Sequence, residues 1–158
     1  MTIDILEKLV RLTNPLVRWL LTTPLHGIVS RDIVLLIHRG RKSGREYPTP
    51  VTFIEGDGEL TIATGSRWWR NLRAHPEIDL VLRGQRRRGN ATVVSEDRGA
   101  IAEGIGRLLS QVPRDAMFYQ VQLAPDGTPK PEDVARAAER TVLIRVRLSD
   151  DALEPSAA

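Results

Sequence analysis

The chain has 158 residues, 41% hydrophobic and 27% charged, with a net charge of +3. That length fits one domain and that balance a soluble globular protein, which excludes wholesale disorder, collagen and coiled-coil rods. There are no cysteines, so disulfides, cysteine-ligated zinc, iron–sulfur clusters and thiol catalysis are excluded as well.

The apolar positions Ile3, Leu6, Leu9 and Val10 are three or four apart, which predicts a helix. Asn14-Pro15 restarts the pattern, and Leu16, Trp19 and Leu20 form a second short apolar face. The expected arrangement is a helical segment over 1–23, packed on the domain. An amphipathic contact of residues 3–21 with a membrane surface or partner is the alternative. Asp4, Glu7 and Lys8 interrupt the stretch, so no signal peptide is expected. The apolar runs fall short of the roughly 20 residues needed to span a membrane. A cytoplasmic protein is expected, with membrane association as its variant.

From residue 33 the pattern becomes strand-like. Ile33 to Ile37 is a continuous apolar run. Arg39 to Arg45 is a turn holding Gly40 and Gly44. Tyr47 to Ile54 reads as a return strand at an edge or bulge, because Pro48 and Pro50 cannot donate to a ladder. Gly56-Asp57-Gly58 signals a hairpin leading to a strand at Leu60–Ala63. Ser66 to His75 reads as a helix capped by Ser66 and closed by Pro76. Strands follow at Ile78–Leu82 and Arg86–Val94, joined by a turn at Gly84-Gln85. Ala100 to Leu109 is a helix, residues 124–133 a loop, and Thr141 to Leu148 an alternating strand. The tail 151–158 is expected to be disordered. About six strands joined by hairpins predict a single antiparallel, mainly β domain over 1–150 with flanking helices, an α+β sheet or barrel. A doubly wound parallel fold would need helices between successive strands.

Between Arg31 and Ser95 there are 12 basic and 7 acidic residues, so an anionic ligand is expected in the middle of the chain. Three segments concentrate the cations. Gly40-Arg41-Lys42-Ser43-Gly44-Arg45 combines three cations, a hydroxyl and two flexible residues, which suits either an anion site or a solvated basic turn. It lacks the frame of a P-loop. Thr64 to Arg73 holds adjacent indoles at Trp68 and Trp69, with Arg67, Arg70 and Asn71 at helical spacing. A helix start at Ser66 would also favour an anion. Arg83 with Arg86-Arg87-Arg88 lies at a hairpin. Nucleic-acid binding is not expected, because aromatics are only 4% of the chain and are not interleaved with those cations. With histidines only at 26, 38 and 75, no metal site is expected either. No Ser-His-Asp set or carboxylate pair stands out.

Two of these segments together resemble the deazaflavin-dependent nitroreductases of the flavin/deazaflavin oxidoreductase superfamily. The first is Val34-Leu35-Leu36-Ile37-His38-Arg39-Gly40-Arg41-Lys42-Ser43-Gly44, followed by Pro50-Val51. The second is Trp68-Trp69-Arg70-Asn71-Leu72-Arg73-Ala74-His75-Pro76. The resemblance covers roughly residues 30–95, and the strand at 141–148 fits it. It implies a split β-barrel, FMN-binding-like, that binds coenzyme F420, with FMN as the alternative from related branches. It implies further that Arg41, Lys42, Ser43, Gly44 and Arg45 grip the cofactor's phosphate and acidic tail. Pro50 and Val51 would lie near the deazaflavin ring, and Thr64, Gly65, Ser66, Trp68 and Asn71 would line the rest of the groove. The link from Gly65 to Trp68 is shorter than in many relatives and lacks a usual phosphate-side lysine, a role that falls to Arg67. Tyr119 is the candidate to cover the substrate pocket and donate a proton or hydrogen bond to the reduced product, with core or rim packing as the alternative. The implied activity is hydride transfer from the reduced deazaflavin to a small nitro compound or quinone. A non-catalytic carrier of a flavin-like or lipid-like ligand on the same barrel is the competing reading, and a homodimer is a further partner expectation.

Overall fold

The computed structural model describes residues 31–150. The N-terminal helical segment, residues 3–21 and the tail 151–158 therefore lie outside the described residues. Among the described residues, no helix is long and apolar enough to cross a membrane.

Seven strands form one antiparallel sheet. They are β1 (Ile33–Arg39), β2 (Glu46–Thr52), β3 (Ile54–Gly56), β4 (Glu59–Thr64), β5 (Glu77–Leu82), β6 (Gln85–Val94) and β7 (Val142–Leu148). Their spatial order is β2-β1-β5-β6-β7-β4-β3. The expected strand Tyr47–Ile54 is thus two strands, and the reason is Phe53. Its backbone N–H still donates to the carbonyl of Asp32 at 2.9 Å, the last bond in the β1–β2 register, and its side chain is buried at 2% exposure, after which Ile54 pairs with β4 instead. β2 and β3 sit at opposite ends of the sheet yet are separated by this one residue. The sheet must curl until its two edges meet, which makes it a split barrel. Pro48 and Pro50 lie on the edge strand β2, two residues apart. Their missing donors fall on one side of the strand, and an edge leaves one side free.

The two tight hairpins use positive φ at both central residues. Asp57 and Gly58 have φ of 55° and 75°, and Arg83 and Gly84 have 49° and 78°. Such primed turns match the right-handed twist of the flanking strands. The second hairpin therefore turns on Arg83-Gly84, one residue before the expected Gly84-Gln85.

Strand alternation divides the core in two. Leu36, Leu60, Ile62, Leu80, Ile144 and Val146 point into the barrel. Leu143 and Ala63 point outward and are covered by helices. Those helices are α1 (Trp69–Ala74), α2 (Arg98–Gln111), α3 (Ala116–Tyr119, after a 3-10 turn at Pro113–Asp115) and α4 (Pro131–Ala138). α2 begins at Asp97, whose carboxylate accepts from the N–H of Ala100 at 3.0 Å, satisfying a donor that a helix start leaves unpaired. It buries Ile101, Ile105, Leu108 and Leu109. α4 falls partly inside the expected 124–133 loop. Pro131 opens it, and Glu132 and Asp133 occupy its first turn, where acidic side chains suit the helix dipole.

Candidate active site

The site forms where the end of β1, the start of β2 and the entrance to α1 converge. β1 and β2 pair with His38 opposite Tyr47 and Leu36 opposite Thr49. The intervening turn closes on itself: the N–H of Gly40 donates to the carbonyl of Arg45 at 2.8 Å, and that of Gly44 to Gly40 at 2.9 Å. Gly44 has φ of 66°, a left-handed conformation that glycine adopts without steric cost. Gly40 is required for another reason. A Cβ there would lie 2.6 Å from Ser43 Oγ and 2.8 Å from a Tyr47 ring carbon. The turn is drawn in by a hydrogen bond of 3.0 Å between Ser43 and the Tyr47 hydroxyl.

Asn71 ties this turn to α1. Its side-chain oxygen accepts from the backbone N–H of Arg41 at 3.2 Å. Its side-chain nitrogen lies 3.2 Å from His38 Nδ1, and His38 Nε2 lies 3.0 Å from Thr49 Oγ1. The imidazole is stacked against two aromatic rings. Its centroid is 5.1 Å from the Trp68 ring at 16° and 5.7 Å from the Tyr47 ring at 25°. His38 is 3% exposed, and burial pulls its pKa down to about 4. It is therefore neutral at physiological pH.

Together these elements line a groove of about 420 Å³, formed by His38, Arg41, Lys42, Tyr47, Thr49 and Trp68, with Gly40, Ser43 and Asn71 completing its wall. That volume is in the usual range for small-molecule sites, roughly 300–1,000 Å³. Arg41, Lys42 and Arg45 are exposed. Among the described residues none of the three has a carboxylate within ion-pair distance, whereas Arg83 is paired with Glu55, and Arg86 and Arg88 with Asp79. Three of the hairpin arginines thus have a carboxylate partner, Arg86 and Arg88 sharing one, whereas among the described residues the turn cations have none. Cationic donors beside flat aromatic side chains fit a ligand that joins an anionic group to a planar ring.

The structure gathers Arg41, Lys42, Ser43, Trp68 and Asn71 of the expected residues into one groove. Gly44 and Arg45 close the turn without lining the groove. Pro50 and Val51 lie further along β2, and Val51 packs on the barrel core. Thr64, Gly65, Ser66 and Arg67 lead into α1 and also lie outside the lining. Ser66 does not cap the helix. The helix begins at Trp69, Trp68 holds the cap position without a side-chain hydrogen bond, and the N–H of Ser66 is taken by Thr64 Oγ1 at 3.1 Å. Tyr119 lies on α3, packed against the helix-covered cluster. Its hydroxyl donates to the carbonyl of Ala63 at 2.9 Å. Burial, and then the charge of Asp115, push its pKa up to about 12. That proton is held by the backbone, and the placement is one of packing. His38, Gly40, Tyr47 and Thr49 complete the groove without having been singled out as site residues. The signal for them was the hairpin itself, which sets 38 against 47.

A model of the F420H(2)-dependent quinone reductase family matches residues 11–122. A Mycobacterium tuberculosis protein, Rv3178, provisionally named an F420H(2)-dependent quinone reductase, is 31% identical over 74 residues. The match spans 42% of this chain and 62% of that relative's length. Among solved structures, Rv2991 of M. tuberculosis, a conserved hypothetical protein, is 18% identical with a TM-score of 0.52, over 75% of this chain and 73% of that one. HutZ, a heme storage protein of Vibrio cholerae, is 14% identical with a TM-score of 0.51, over 77% of this chain and 84% of that one. At these identities the structural likeness is one of fold.

Proposed function

Because the chain belongs to the F420H(2)-dependent quinone reductase family, we propose that it binds reduced coenzyme F420 in the groove and reduces a small quinone-type acceptor. The observation that carries this reading is the placing of Arg41 and Lys42, cations without a carboxylate partner among the described residues, beside the aromatic wall of Trp68 and Tyr47. When bound, the reduced deazaflavin supplies the hydride. The residues of this chain bind, orient and shield. Arg41 and Lys42 hold the anionic end, with Ser43 adding a hydroxyl. Trp68 and Tyr47 provide flat apolar surface for a ring and keep water from one side of it. The stacked, neutral His38 keeps both rings in place. A quinone takes up the hydride and a proton and leaves as the hydroquinone. A nitro compound is the other acceptor type to compare.

The test is titration of the purified protein with F420, followed by absorbance and fluorescence, then turnover of reduced F420 with a benzoquinone, a naphthoquinone and a nitroaromatic. Saturable binding with quinone-dependent oxidation of reduced F420 supports the proposal. Binding without turnover favours the carrier reading, and preferential binding of FMN refutes the cofactor assignment.

A further inference from the structure

The hydrogen bonds around His38 have only one consistent direction, and that direction decides what Thr49 presents to the groove. The backbone N–H of Arg41 can only donate, so the Asn71 atom 3.2 Å away must be the carbonyl oxygen. The amide nitrogen of Asn71 then faces His38 Nδ1 at 3.2 Å as a donor. Nδ1 must accept, so in the neutral imidazole the hydrogen sits on Nε2. Nε2–H in turn donates to Thr49 Oγ1 at 3.0 Å. Reversing the whole chain would set the Asn71 amide against the Arg41 N–H, two donors, and reversing the imidazole alone would set Nδ1–H against the Asn71 amide. Burial keeps His38 neutral, with a pKa near 4, so this polarity holds across the physiological range.

Thr49 Oγ1 therefore receives a hydrogen bond, and its own hydrogen has no other acceptor among the described residues. Thr49 lines the groove. Resting on the reading that the groove holds the F420 ligand, we infer that Thr49 is a specificity-determining donor. Its O–H is committed to an acceptor oxygen of the bound molecule, a carbonyl or an oxyanion, and disfavours a ligand that presents N–H or O–H there. A site built around one donor sense rejects the mismatched partner because a buried polar group would be left unpaired. Asn71 and His38 act as positioning residues. They transmit the fixed sense of one backbone N–H in the basic turn to a hydroxyl on the neighbouring strand.

Two measurements test this. The first is long-range ¹H–¹⁵N correlation of the histidine rings in ligand-free wild-type protein at neutral pH. The expected result is His38 as the Nε2–H tautomer with a bare Nδ1. The Nδ1–H tautomer would overturn the inference. The second is F420 titration of Thr49→Val and Thr49→Ser. Valine keeps the shape and removes the hydroxyl, both as donor to the ligand and as acceptor for His38 Nε2–H, so affinity should fall at least about tenfold, while serine, which keeps both, should stay close to wild type. Equal affinities of wild type and Thr49→Val would also overturn it. Failure of wild-type protein to bind F420 refutes the cofactor reading instead, and the tautomer result still decides the direction of the network.

Discussion

His38 should make the protein acid-sensitive by an amount that its burial sets. The imidazole is 3% exposed, and its pKa is lowered from 6.5 to about 4 by burial alone. The folded state therefore resists protonation that the unfolded chain accepts. A depressed pKa stabilises the fold fully above pH 6.5, and the contribution disappears as pH falls from there through about 4. A tenfold difference in proton affinity between the folded and unfolded chain corresponds to about 1.36 kcal/mol, so about 3 kcal/mol is at stake. Roughly 60% of that should be gone by pH 5. Protonation at Nδ1 also removes the acceptor that Asn71 uses, so the basic turn should loosen in the same range. The assay is urea denaturation of wild type and His38→Gln at pH 7, 6, 5 and 4. The difference between the two isolates His38 from the carboxylates, which titrate in both. Wild type should lose about 3 kcal/mol more than the variant between pH 7 and 4. Parallel pH profiles, or a His38 ring titrating near 6.5 by NMR, would refute the reasoning.

Two glycines of α2 should respond oppositely to alanine. At Gly104 a Cβ would lie within 3 Å of both Leu143 methyl carbons, and Leu143 is buried at 1% exposure, so Gly104→Ala should destabilise by about 1–3 kcal/mol. At Gly106 nothing lies within 4 Å, so Gly106→Ala should stabilise by about 0.5–1 kcal/mol; thermal unfolding of the pair checks both signs. Tyr119→Phe should cost about 1 kcal/mol through loss of the bond to Ala63. It should leave steady-state turnover of reduced F420 and quinone unchanged, and a collapse of kcat in a folded Tyr119→Phe protein would support a proton-donating role.

The antiparallel, mainly β character was legible because turn glycines and period-two strands are local signals. The hairpins at Asp57-Gly58 and Arg83-Gly84 and the strand Val142–Leu148 emerge from such signals within a residue or so. The break at Phe53 was not legible, since it depends on the sheet curling far enough for a distant edge to take up β3. α4 was missed because Pro129, Pro131 and Gly127 read as loop, although Pro131 at the first helical turn favours a helix start. Within the site, the basic turn stood out by charge, and Trp68 and Asn71 by their position in a motif. His38 and Thr49 did not. A histidine at the end of an apolar run reads as a strand terminus, and only the pairing register and the approach of Asn71 give it a function. Thr64 to Arg67 stood out by resembling a helix start, but the helix begins later and the N–H of Ser66 is taken by Thr64.

The central claim is that the cations of the Gly40–Arg45 turn, which have no carboxylate partner among the described residues, hold the anionic end of F420. The most direct test is the F420 dissociation constant of wild type beside an Arg41→Ala/Lys42→Ala double variant, with folding verified by circular dichroism. Arg145→Ala serves as a control that removes an exposed cation from β7. A charge-assisted contact contributes about 1.5–3 kcal/mol, lessened here by solvent exposure, so the double variant should bind at least about tenfold more weakly. Arg145→Ala should bind like wild type. A folded double variant that binds F420 as tightly as wild type would contradict the claim.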